Sequence, residues 1–532
     1  MKRSLGFWMA VTCCGLALAA PPRNDAPKEN QPAKAAKHWH ETDAFFAAPM
    51  PRLALEIKKP EMDQLRAQAR SYVEASLTEG DKAFPHVAVK LKGSSGSFKP
   101  VDEKPGLTLN FDKFKGADRF HGQKKMHLNN GNEDPSFLRE WLAGEIAHAA
   151  GMPAGRCTHT LLSINGKDKG LYVVREGFTK DFLAAHFGDD RGALFEGHFC
   201  KDFDTELELD SGDESARIAL KELMAACEVE SPAARWERLG KILDLEAYAS
   251  YFAFEQAMDF SDGYDFNLNN YRLYFVRNRF CFVLHGMDEV FKSTDVSLLR
   301  DPKSRLGQAF LSCPQGRALY RQKITELYEK VLHARDWPAA VAARADFVKA
   351  GLVAAGSRRV KEFAQNAEAL KENVARRIEN LGKELQEWPE PLAFDAKGVA
   401  SMTKGWHVEN ENGDAADLNE DGPALHVAAK NESTASWRCT AVLDAGRYRF
   451  EARVRGKAIE ALDDEKGRGA GLRISGSQER RGNALVGSAE WTNLGYEFDV
   501  NEPREVVLVA ELRARKGEAW FARDSFRLVR LK

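Results

Sequence analysis

Asp262-Gly-Tyr-Asp-Phe-Asn-Leu-Asn-Asn-Tyr271 leads into strand-like runs over Tyr271 to Val276 and Arg279 to Leu284, and these open onto His285-Gly-Met-Asp-Glu-Val-Phe291. The pattern is an acid, amides a few residues on, a hydrophobic hairpin and then a second acid. Phosphoryl-transfer sites are assembled this way: one carboxylate takes the proton of the attacking hydroxyl, while an Asn and a second Asp hold a metal on the phosphates. The hairpin interrupts a mainly helical stretch from Phe178 to about Glu387, so the middle of the chain predicts an α+β domain.

Upstream, Leu53 to Ile57, Val87 to Leu91 and Leu107 to Phe111 alternate as strands do, with helical periodicity around Glu61 to Arg70 and over Pro135 to Ala150. Thr158 to Ile164 and Gly170 to Arg175 are strands joined by Asn165-Gly166, a hairpin signal. This part predicts a mostly antiparallel sheet carrying one prominent helix. Arg344 to Leu385 predicts a pair of core-packed helices. Past Trp388-Pro-Glu-Pro391 the pattern changes to short strands between Gly, Asn and Asp turns, from Leu425 to Ala429 through Phe526 to Leu531, which predicts an all-β jelly-roll or β-sandwich over 398–532.

At 532 residues the chain is long enough for two or more domains, and its net charge of −2 gives no electrostatic reason to expect nucleic acid as a partner. Lys2 and Arg3 before the apolar run Leu5 to Leu18, with Ala17-Leu-Ala19 behind it, predict a signal peptide over 1–20. A mobile leader is predicted over 21–42 from its Pro, Ala and Lys content. The expected location is secreted, periplasmic or cell-surface, with no membrane span after signal cleavage. Six cysteines remain, widely scattered and without a C-x-x-C pair, so a zinc site is not expected and disulfide pairing stays open.

Lys92-Gly-Ser-Ser-Gly-Ser-Phe98 lies between two predicted strands, where small residues let backbone N–H groups approach phosphate oxygens. It is not a Walker A sequence. Lys104, entering the next strand, can reach phosphates if a helix carboxylate orients it; Glu140 and Glu145 both qualify.

The order of Lys92-Gly-Ser-Ser-Gly-Ser-Phe98, Lys104-Pro-x-Leu-x-Leu, Phe120-His-Gly and His127-Leu-Asn-Asn resembles the spore-coat-protein-H (CotH) kinase family. Asp134-Pro-Ser-Phe-Leu-Arg139, Asn165-Gly, Arg175-Glu-Gly177, Asp262-Gly-Tyr, Asn269-Asn-Tyr and His285-Gly-Met-Asp288 continue the likeness. The resemblance implies an atypical protein-kinase-like two-lobed domain over 43–390 that transfers the γ-phosphoryl of ATP, with Mg²⁺ or Mn²⁺, to Ser or Thr of a protein at or outside the cell surface. It implies Asp262 as catalytic base, Asn270 (Asn269 as second choice) and Asp288 as metal ligands, and Gly93, Ser94 and Ser97 over the phosphates. Lys104 would be the phosphate lysine, with Glu176 and Gly177 cradling adenine. The resemblance implies Trp-Asp-x-Asp here, as in many members of the family, and this chain has His285-Gly286-Met287-Asp288, so Gly286 takes the place of the first acid.

Other classes stay open: a catalytically weak exported scaffold that binds glycans, or a kinase acting on a sugar or small molecule. Trp406, Trp437, Trp491 and Trp520 invite a carbohydrate reading of the C-terminal domain, although most sandwich tryptophans fill the core. Asp417-Leu-Asn-Glu-Asp-Gly422 begins like a calcium loop but has Ala428 where a bidentate Glu is needed.

Overall fold

A computed structural model describes residues 32–47, 50–94, 96–114, 119–388, 392–410, 415–477, 479–500 and 504–531. The predicted signal peptide lies outside these residues. The predicted leader does so only in part, and its second half is a correction: Pro32–Ala47 is a helix, α1. Its far end anchors it, with Phe45 edge-on to Phe120 and stacked on His121, and Asp43 ion-paired to Arg156.

Seven strands follow: β1 (Arg52–Glu56), β2 (Val73–Glu79), β3 (Lys82–Lys92), β4 (Gly106–Asn110), β5 (Lys125–Asn129), β6 (Cys157–Ile164) and β7 (Lys167–Glu176). They close into a barrel in the order β1-β2-β3-β4-β5-β7-β6. Antiparallel pairing runs all the way round except where β1 meets β6 in parallel, Leu53 opposite Leu162. Asn165 and Gly166 both take positive φ in the tight turn between β6 and β7. Asn165 also bonds both backbone groups of Ile57 through its side chain, so one residue sets a turn and ties down the end of β1.

The barrel explains where side chains go. Val87, Val89, Leu91, Leu107, Leu109, Met126, Leu128 and Val174 fill its interior. The alternate positions, Lys90, Lys92, Thr108, Asn110, Lys125, His127, Asn129 and Arg175, therefore share its outer face. Against that face come a four-stranded sheet containing β8 (Ala193–Glu196), β9 (Glu208–Ser211), β10 (Tyr271–Val276) and β11 (Arg279–Leu284), and a helical body. Lys125 lies 3.7 Å from Asp210, and Arg272 pairs with Glu196 and Asp210, across this junction.

The helix Leu245–Ala257 is buried nearly all round through Tyr248, Tyr251, Phe252 and Phe254, which makes it the core of the helical body. Trp337–Ala354 and Val360–Gln386 form the expected helix pair. Beyond residue 398 the regular structure of the described residues is β-strand, apart from short 3-10 turns such as Arg523–Ser525. The long strand Arg504–Ala522 pairs with Ser433–Leu443 and Gly469–Ile474 through its first half, and with Ala424–Ala429 and Gly446–Ala461 through its second. Asp417 to Asp421 lies in the strand Ala416–Asp421 rather than in a calcium loop. All six described cysteines are free. No helix among the described residues is long and apolar enough to cross a membrane.

Candidate phosphoryl-transfer site

Asp262 sits at the centre of an amide cluster. Its carboxylate accepts from Asn267 Nδ2 at 2.7 Å, Asn269 Nδ2 at 3.1 Å and Asn270 Nδ2 at 2.6 Å. Three amides reach one carboxylate because Leu268 and Asn270 both take positive φ and fold the run back on itself. The loop is fixed from below by Glu255, fully buried on the core helix, which accepts from the backbone N–H of Tyr264 at 2.8 Å and of Asp265 at 2.9 Å. Gly263 is needed there, since a Cβ would come 2.4 Å from Glu255 Oε1. Glu255 thus positions Asp262 without touching it.

On the barrel side, Lys92 at the end of β3 donates to Asn129 Oδ1, and Asn129 donates to Glu140 Oε2. Glu140 lies in the first turn of helix α3 (Arg139–Ala149; α2 is Lys59–Ala67). That helix starts where Asp134 accepts from the backbone N–H of Arg139 at 2.9 Å and of Ser136 at 3.0 Å. Arg175 Nε lies 3.2 Å from Glu140 Oε1 but off hydrogen-bond geometry, and neither Nε nor Nη1 has a hydrogen-bond partner. Phe178 underlies the cations, 5.2 Å from the Arg175 guanidinium, 5.4 Å from that of Arg272 and 5.8 Å from the His285 ring.

Burial first, then the charge of Arg175, pushes the Lys92 ammonium down, with Glu140 and Asp288 opposing. Burial and the charge of Glu140 push the Asp288 carboxyl up, with Lys92 opposing. His127 and His285 are held well below the usual histidine range by burial and by the surrounding Arg and Lys. The face is cation-rich and desolvated, with donors left over: chemistry that suits a polyanion.

Asp262 and the Asn270 amide come together, while the charges that act on Asp288 are chiefly those of Glu140 and Lys92. Asn270 turns Nδ2 to Asp262, and a Cβ on Gly286 would lie 2.5 Å from its Oδ1, two residues before Asp288. No three His, Cys, Asp or Glu among the described residues form a metal centre by themselves. Asn270 Oδ1 and the Asp288 carboxylate are hard oxygen donors, the ligand type that Mg²⁺ takes alongside phosphate and water.

The glycine-serine loop is placed less simply. Gly93 and Gly96 take positive φ; a Cβ on Gly96 would lie 2.2 Å from Glu133 Oε1. The Ser94 N–H is donated to Ser97 Oγ at 3.1 Å, and Asn130 donates to the Ser97 carbonyl at 2.9 Å. The loop is a closed turn resting on 130–133, with Glu133 beneath it.

Lys104 lies elsewhere. Its ammonium is 4.5 Å from the Phe137 ring and 5.1 Å from the Tyr172 ring, and burial pushes it down to about 7. It sits in the connection before β4, whereas Lys92 ends β3 on the covered face. Lys92 is therefore the lysine that shares Glu140's network, and of the two helix carboxylates Glu140 is the one that faces it. The Glu176 carboxylate is engaged by Arg156 at 2.9 and 2.5 Å, and the Gly177 N–H is donated to the Lys125 carbonyl at 3.0 Å. With Thr42, Gln123 and Thr179 they line a void of about 10 Å³, room for a water and not for a purine.

Reading by sequence missed Lys92, Asn129, Arg175, Glu255 and Asn267. The available signal was the alternation Lys90-Leu-Lys92 and Lys125-Met-His127-Leu-Asn129, which spells one polar strand face.

The family model described as CotH kinase protein matches residues 89–381. The inner spore coat protein H of Bacillus subtilis (strain 168) is 25% identical over 170 residues, covering 29% of this chain and 46% of that protein. The chain thus spans about half the length of this curated relative. Among solved structures, the CBM22-1 xylan-binding domain from Paenibacillus barcinonensis Xyn10C is 15% identical, with a TM-score of 0.19, over 27% of this chain and 99% of that one. A family 29 carbohydrate-binding module from Piromyces equi is 11% identical, with a TM-score of 0.17, over 23% and 80%. Scores this low carry no argument about binding.

Proposed function

The chain belongs to the CotH kinase protein family, and from that premise we propose that it transfers the γ-phosphoryl of ATP to Ser or Thr hydroxyls of an exported or surface protein. The observation that carries this reading is one buried face on which Lys92 and Arg175, held by Asn129 and Glu140, share their surroundings with Asp288. Arg175 is ion-paired to Glu140, yet its Nε and Nη1 make no hydrogen bond, and phosphate oxygens would satisfy them. Asp262 supplies the acceptor side.

Lys92 and Arg175 would hold phosphate oxygens and offset charge as the transferring group loosens from its leaving oxygen. Asn270 Oδ1 and Asp288 would hold a divalent cation, whose contribution is neutralisation of the β- and γ-phosphates. Asp262, pinned by three amides, orients the acceptor hydroxyl and takes its proton as the new O–P bond forms and the bond to the bridging oxygen breaks, with ADP leaving. The transition state is loose, so orientation matters more here than basicity.

The test is transfer of label from γ-labelled ATP, with Mg²⁺ or Mn²⁺, to an acidic Ser-rich acceptor. Asp262→Asn should lose at least about a hundred-fold in rate while keeping nucleotide-dependent thermal stabilisation. A wild-type protein that neither transfers label nor gains thermal stability with metal and nucleotide would end the proposal.

A further inference from the structure

Along Gly446–Ala461, strand alternation buries Tyr448, Phe450, Ala452 and Val454 and sends Arg449, Glu451, Arg453, Arg455 and Lys457 to the outer face. Arg455 lies opposite Trp520 in the ladder, and Trp520 opposite His426. The Arg455 guanidinium is 4.4 Å from the Trp520 ring and 5.4 Å from the Trp491 ring, and His426 stacks on Trp520 at 4.6 Å. Trp520 is only 8% exposed, and its indole N–H is donated to Asp421. Trp491 is 40% exposed.

The other cations of this face are neutralised. Arg453 pairs with Asp524 at 3.1 Å, Lys457 with Glu518 at 2.9 Å, and Arg449 and Arg527 share Glu451 at 2.5 and 2.6 Å. Arg455 has no ion pair among the described residues and lies over the two indole rings. Beside it runs a groove of about 770 Å³ lined by Arg449, Glu451, Arg453, Asn493, Asp524 and Arg527.

We propose that this face binds a linear polysaccharide bearing carboxylates, with Trp491 stacking a sugar ring, Arg455 taking a carboxylate and the groove reading hydroxyls. An exposed indole offers a flat apolar surface to the C–H face of a pyranose. Alternating guanidinium and carboxylate groups give the donors and acceptors that hydroxyls need. The one unneutralised guanidinium supplies the charge preference, since its planar fork matches a carboxylate. The site is independent of the phosphoryl-transfer reading.

The full chain should be retarded in native gels containing polygalacturonate or alginate and should run freely in neutral xylan or galactan. Trp491→Ala and Arg455→Gln should each weaken binding about ten-fold, with thermal melts little changed because Trp491 is exposed and Arg455 has no ion pair to lose. Asp262→Asn should bind as the wild type does. The proposal is overturned by the absence of retardation, by equal retardation in neutral gels, by equal binding of dextran sulfate, or by variants that bind undiminished.

Discussion

Two buried clusters of charge, one between the barrel and the helical body and one inside the C-terminal β-structure, are built on opposite principles. In the β-structure Glu511 is fully buried and accepts from Arg473 at 2.9 Å, from Arg481 at 2.8 Å and from Arg513 at 2.8 and 3.1 Å. The guanidiniums spend further donors on the Ile474, Asn483 and Gly469 carbonyls and on Asp464. Burial would raise the Glu511 carboxyl, yet the Arg513 hydrogen bonds and the charges of Arg481 and Arg473 hold it down to about 2. At the barrel, Arg175 and His285 keep ring or guanidinium nitrogens without partners, and burial works against the Lys92 charge. A cluster that satisfies itself holds a fold together; one that keeps buried donors unspent is, on the reading proposed above, where phosphate binds.

The sharpest way to break this contrast is Glu511→Ala, which strands three guanidiniums in the core. We expect a loss of about 3–5 kcal/mol in denaturant unfolding of the C-terminal transition. The folded carboxyl sits below its unfolded value, so Glu511 stabilises above the ordinary glutamate range, and that contribution fades as pH falls toward 2. The variant should lack this acid-dependent part. A loss below about 1 kcal/mol would place Glu511 with surface ion pairs and erase the distinction.

Lys92→Met should act in the reverse sense. Its ammonium is disfavoured where it stands, so apo stability should change by no more than about 1 kcal/mol, whereas phosphoryl transfer should fall at least about a hundred-fold. Parallel urea melts and transfer assays read both. Lost stability with retained transfer would make Lys92 a structural residue and return the phosphate role to Lys104. The smallest effect belongs to the exposed face, where Arg453→Gln should cost less than about 1 kcal/mol despite its pair with Asp524.

Much of this was legible in the chain. Strand alternation marked β3, β4, β6 and β7 and most strands beyond residue 398, and Asn165-Gly166 marked its turn. Barrel closure was not, because it rests on the pairing of Arg52–Glu56 with a strand more than a hundred residues away, which leaves no local trace. The same gap explains the choice between Lys92 and Lys104. Both follow or precede the same loop, and only the parity of β3 relative to a covered face separates them. Polar alternation normally means solvent, and here it meant a junction. Of the sandwich tryptophans, Trp437 and Trp520 are buried, Trp406 packs on Phe526 and Trp491 is exposed, a division set by strand register and invisible in composition.

Gly286 limits what its own loop can be changed into. Its φ is +61°, and a Cβ there would press to 2.5 Å on the Asn270 amide, the group that holds Asp262. A side chain at 286 would therefore strain the backbone and press on Asn270, which donates to Asp262. Positions 270 and 286 are coupled through space: any side chain at 286 requires the Asn270 amide to move or be replaced.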